Sequence, residues 1–166
     1  MQLGGKLGLD FWADTSCAGR FAYVEEFIEG ATVTASGFAN SLGKLENLPL
    51  AHVVYAYDQP DDHTVLLEHN SVIYLGDQMG DSLANSIQSE EFNVRMDLRP
   101  KKYYPHDETS QTIIFEDGTI IPILYDGVLP YLPVRRPTPA ELDSCPRLTL
   151  SSRDLWDPFM KYASFT

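Results

Sequence analysis

Leu7-Gly8-Leu9-Asp10-Phe11-Trp12-Ala13-Asp14-Thr15 puts two carboxylates at the end of an alternating apolar lead-in. Alternation of that kind marks a strand, so Asp10 falls where a strand gives way to a loop. A carboxyl held there can act as general base when ionised or general acid when protonated. Two carboxylates in contact cannot both ionise cheaply, which makes one the base and the other the acid. The other constellations point to less. Asp58, Asp61, Asp62 and His63 cluster, with Glu68 and His69 shortly after, but the calcium-loop spacing with its central Gly is absent. A solvated turn explains them, and no metal is expected. His106-Asp107-Glu108 has no Gly-x-Ser-x-Gly elbow to serve. No thiol-enzyme signature surrounds Cys17. Leu3-Gly4-Gly5-Lys6-Leu7-Gly8 lacks the spacing of a phosphate loop. No cofactor is expected.

Elements that could carry Asp10 are short and mostly extended. Val, Ile, Leu and Tyr crowd residues 48–57, 64–75, 112–115 and 119–125, as strands do. Asp58–His63 separates the first two as a polar turn. Glu116-Asp117-Gly118 separates the last two, and Asp126-Gly127 offers a third hairpin turn. One helix is expected, from Asp81 to Phe92, with Leu83 and Ile87 on one stripe and Asp81 as its cap. Pro130, Pro133, Pro137, Pro139 and Pro146 break any long element after Leu129. Residues 1–136 therefore read as one β domain. Residues 137–166 read as a Pro-rich extension that wraps, links or exchanges with a neighbour. Its Leu155-Trp156-Asp157-Pro158-Phe159 run must be buried, either on its own domain or on another subunit.

Composition bounds the partners. Twelve Lys and Arg against twenty-four Asp and Glu leave a net charge of −12 in 166 residues. Such a surface repels nucleic-acid phosphates and anionic membranes, so neither is expected as a partner. No apolar run approaches the roughly 20 residues needed to span a bilayer. The opening residues lack the basic-then-apolar layout of a signal peptide. Cys17 and Cys145 stand far apart with no CxxC pair, so two reduced thiols and a cytoplasmic setting are the expectation.

Leu9, Asp10, Ala13 and Asp14 resemble the active-site loop of retroviral and retrotransposon aspartic proteases, where an apolar residue, Asp, Ser or Thr, Gly and Ala follow in order. Phe11 stands in the Ser/Thr place and Trp12 in the Gly place. Val72-Ile73-Tyr74-Leu75-Gly76, followed by the helical segment from Asp81, resembles the strand-then-helix order of the Copia-type transposon members. The resemblance runs over residues 7–130 and implies a closed, retropepsin-like β-barrel with one short helix. It implies peptide-bond hydrolysis by an Asp dyad acting on a polypeptide substrate.

Asp81-Ser82-Leu83 and Asp143-Ser144-Cys145 lack the following Gly and the apolar lead-in. A dyad thus needs two copies of Asp10 at a twofold axis, and the implied partner is a second copy of the chain. In the family the Ser/Thr locks the two loops together, which Phe11 cannot do, and the Gly lets backbone N–H groups approach the carboxylates. Ala13-Asp14-Thr15-Ser16 is the alternative motif, with Asp14 catalytic and the Thr kept. Its lead-in, Trp12-Ala13, is the poorer one, which favours Asp10. The competing function is a retroelement-derived domain without catalysis, kept as a self-assembling structural protein in oligomers or filaments. Phe11, Trp12 and the Trp/Phe-bearing tail point that way.

Overall fold

Alternating apolar and polar residues at the start of the chain, and β-branched and aromatic runs in its middle, set the architecture. The computed structural model describes residues 4–10, 12–36 and 43–159, and the protein is mainly β. Its strands are β1 (Gly4–Leu9), β2 (Cys17–Gly19), β3 (Tyr23–Ser36), β4 (Lys44–Asp58), β5 (Thr64–Gly76) and β6 (Ser82–Ala84), followed by helix α1 (Ser86–Glu90). Then come β7 (Arg95–Asp97), β8 (Thr112–Ile114), β9 (Ile120–Pro122), β10 (Leu124–Asp126), β11 (Leu129–Arg135), helix α2 (Pro139–Ser144) and β12 (Arg147–Thr149).

Nine strands form one sheet in the order β10-β11-β1-β6-β2-β5-β4-β3, with β12 also on β5, while β7, β8 and β9 make a second sheet. The short strand β6 lies between β1 and β2. It runs parallel to β1, with Leu9 opposite Ala84, and antiparallel to β2, with Cys17 opposite Leu83. β11 pairs with β1 and also meets β4, where Arg135 faces Ala56. Leu7, Leu9, Tyr55, Leu67, Ile113 and Leu132 share one buried core that both sheets enclose. The alternation that buries Leu7 and Leu9 is what brings Asp10 to the end of β1.

The hairpin turns lie where the sequence puts them. Gly118 takes φ 89° and Gly127 φ 63°, in the left-handed region that favours glycine. The Phe115 N–H closes the first turn on the Thr119 carbonyl, and the Gln59 N–H closes the polar turn on the His63 carbonyl.

The helix is shorter and starts later than the expected Asp81–Phe92. Ser82–Ala84 is strand rather than helix, because its backbone pairs with β1 on one side and β2 on the other. Asp81 does not cap a helix; its carboxylate accepts the Lys6 N–H at 2.9 Å. Asn85 is the cap, accepting the Gln88 N–H at 2.8 Å. Among the described residues there are also two short helices, not one. The second, α2, follows from a capping box in which the Thr138 side chain takes the Glu141 N–H and Glu141 takes the Thr138 N–H, with Pro139 opening the helix.

The described part of the extension wraps its own chain. β12 lies parallel to β5, Leu150 enters the main core, and Leu142 and Cys145 pack against Val54, Ala56 and Leu66. No helix among the described residues is long and apolar enough to cross a membrane.

Candidate active site

Asp10 extends β1 by one more backbone bond, its N–H donating to the Ala84 carbonyl at 3.0 Å. The chain then turns, and the half-buried Asp10 carboxylate accepts the Trp12 N–H at 2.8 Å. Trp12 thus offers the backbone donor expected of a Gly at that place. Trp12 itself is 78% exposed. Asp14, further along, is exposed. Phe11 lies outside the described residues.

Neutral groups hold this loop. Ser16 is fully buried; its hydroxyl accepts the Asn85 N–H at 2.8 Å and its own N–H donates to Gln88 Oε1 at 3.3 Å. The Asn85 side-chain amide donates to the Ala13 carbonyl. Gln88 Nε2 donates to the Asn70 and Ser71 carbonyls at 3.1 and 3.0 Å. Those two carbonyls come from a bulge in β5, where Asn70 and Ser71 fall between the register pairs His69–Val53 and Val72–Ala51. Ser71 has φ 55°, a conformation that a non-glycine residue adopts at a cost. The bulge turns two successive carbonyls toward one side-chain amide.

A cleft of about 870 Å³ opens beside Asp10 and Asp14. Leu50, Ile73 and Leu83 line it, together with Trp156 and Phe159 from the C-terminal segment. Among the described residues its lining has three carboxylates, Asp10, Asp14 and Asp157, and no Lys or Arg. Burial, with the charges of Asp14 and Asp10 behind it, pushes the Cys17 thiol up to about 11. At neutral pH that thiol stays protonated and is a poor nucleophile.

The residues singled out in the sequence separate clearly. Asp10 and Asp14 share the cleft, whereas Asp81 binds the Lys6 backbone and Asp143 belongs to α2. In the polar turn, His63 and Asp61 pair at 3.1 Å and Asp58 pairs with Arg135 at 2.8 Å. No three His, Cys, Asp or Glu side chains among the described residues gather as a metal site. No family model, curated protein or solved structure matches the chain.

Asn85, Gln88, Ser71 and Trp156 were not legible as site residues. A partial signal existed, since Asn85-x-x-Gln88 has the spacing of a capping box. Here the cap forms, but the Gln88 side chain reaches across to Ser16 and the β5 bulge.

Proposed function

We propose that the protein is a retropepsin-like aspartic endopeptidase that works as a homodimer, with one Asp10 from each copy. The observation that carries this reading is a half-buried Asp10 carboxylate opening on an apolar cleft, with no cation paired to it among the described residues. The β1-β6-β2 order supports it, because a strand followed directly by a helix is inserted beside the strand that bears the aspartate. The contact of β11 with β4 supports a closed barrel, since it joins two distant members of the sheet path. The exposed indole of Trp12, two residues from Asp10, is an apolar surface that a second copy would cover.

In this mechanism a water molecule sits between two Asp10 carboxyls, one ionised and one protonated. The carboxylate takes a proton from the water as its oxygen attacks the peptide carbon. The protonated partner hands its proton to the carbonyl oxygen, giving a neutral gem-diol. Collapse returns a hydroxyl proton to one carboxylate while the amine leaves with the other proton, and the shared-proton state is restored. The apolar walls at Leu50, Ile73 and Leu83 would take a large side chain beside the cleaved bond.

Incubation with an unstructured polypeptide between pH 4 and 7 tests the reading. Cleavage by the wild type should fall roughly a hundredfold or more in Asp10→Asn and persist in Asp14→Asn. No cleavage by the wild type at any pH, or loss in Asp14→Asn alone, would overturn the assignment to Asp10. So would a strict monomer on sizing. The competing reading, a non-catalytic assembling domain, draws on the exposure of Trp12 and Phe159. A wild-type polymer without cleavage would select it.

A further inference from the structure

The C-terminal segment touches the Asp10 loop directly. The Trp156 indole Nε1–H donates to the Asp14 carbonyl at 2.8 Å, and the Trp156 backbone N–H donates to Ser71 Oγ at 2.8 Å. Ser71 is the bulge residue whose carbonyl Gln88 holds, and Gln88 in turn binds Ser16. A closed circuit results: loop to Asn85 and Gln88, Gln88 to the β5 bulge, bulge to Trp156, and Trp156 back to the loop. The segment is itself fixed just upstream. Asn70 and Ser151 exchange three hydrogen bonds of 2.8 to 3.0 Å, and the Leu150 N–H donates to the Glu68 carbonyl at 2.8 Å. Trp156 therefore approaches the loop from an anchored position.

We propose that Trp156 is a positioning residue for Asp10, and that the C-terminal segment completes the active site. The inference rests on the functional reading above and adds what holds its geometry. Phe11 cannot supply a hydroxyl lock on the loop. In its place, the circuit through Asn85, Gln88, Ser71 and Trp156 fixes residues 13–16 within a single copy of the chain. The Asp10 carboxylate, tied to the Trp12 N–H at the start of this fixed stretch, meets its symmetry mate already oriented, so ordering of the loop is not left to the dimerisation step.

Trp156→Phe tests this in the 166-residue chain, because it keeps an aromatic side chain, though a smaller one, and removes the indole donor. Ser71→Ala, which removes the acceptor of the Trp156 N–H, is the second variant should the first fold poorly. Amide hydrogen exchange across residues 12–19 should quicken about fivefold in Trp156→Phe, the loss expected for one hydrogen bond. Exchange in β8 and β9 should stay as in the wild type. On a cleaved polypeptide, kcat should fall with KM nearly unchanged, since the substituted ring still lines the cleft. Wild-type exchange in the loop for both variants would overturn the proposal. An equal rise throughout the molecule would also overturn it, making Trp156 merely structural. Failure of the wild type to cleave would defeat the functional reading alone, and loop exchange would still decide the positioning role.

Discussion

The two ends of β1 are held in opposite ways. At one end Gly4 lies opposite Arg135, whose guanidinium pairs with Asp58 at 2.8 Å and Glu141 at 2.6 Å. That end is charged and matched, and Arg135 holds both the Asp58 and the Glu141 carboxyls down to about 2. At the other end Asp10 and its loop are held by an asparagine, a glutamine, two serines and an indole, with no cation among the described residues. The first arrangement ties β4, β11 and α2 together, and its charges are committed to that. The second fixes a backbone while leaving carboxylates open to a cleft. Charge is matched where it ties strands and helix together, and unmatched where the proposed function would move a proton.

The difference can be broken from the Arg135 side first. Arg135→Ala should leave Asp58 and Glu141 unpartnered and cost ~2 kcal/mol in urea unfolding, below the loss for a fully buried pair because Asp58 is half exposed. Exchange in the Asp10 loop should not change. The stability from Asp58 and Glu141 is present above the ordinary carboxyl range and disappears as pH falls toward their folded values of about 2.

A third situation lies between these two. His69 is fully buried on β5, next to the bulge, and neither ring nitrogen has a hydrogen-bond partner among the described residues. Burial pushes it down to about 3. The unfolded chain takes up a proton at His69 below its ordinary value of 6.5, whereas the folded chain does so only near 3. Stability is therefore complete above pH 6.5 and declines between 6.5 and 3, by up to ~1.4 kcal/mol per pH unit. His52, lowered chiefly by burial, acts in the same direction. Urea midpoints measured from pH 7 to 5 should fall less in His69→Leu than in the wild type. An unchanged slope would show that His69 is not the group responsible. The smallest effect belongs to the cleft: Asp14→Asn should shift unfolding free energy by less than ~0.5 kcal/mol, as an exposed and unpaired carboxylate should.

Strands were legible where side-chain type and period agreed. Residues 48–57 and 64–75 fall within β4 and β5, and the Asp-Gly turns sit where the dipeptides do. β3 is not legible in the sequence, because Glu25, Glu26 and Glu29 interrupt any apolar face. It is an edge strand, held by its pairing with β4. Leu83 and Ile87 mimic a helical stripe four residues apart, yet two-sided pairing makes strand of Ser82–Ala84. Asp10 could be found from the sequence because its neighbours in the chain announce a strand end. Trp156 could not, since its partner Asp14 is 142 residues away and the link is a carbonyl, which no residue type reveals.

The proposed dyad requires two copies of the chain to share one site. Wild-type protein mixed with Asp10→Asn subunits, allowed to exchange at constant total concentration, tests this directly. With equal parts of each and random pairing, activity should fall to about a quarter, because only wild-type pairs carry two aspartates. A fall in simple proportion to the wild-type fraction would mean that each copy works alone, and would contradict the dyad.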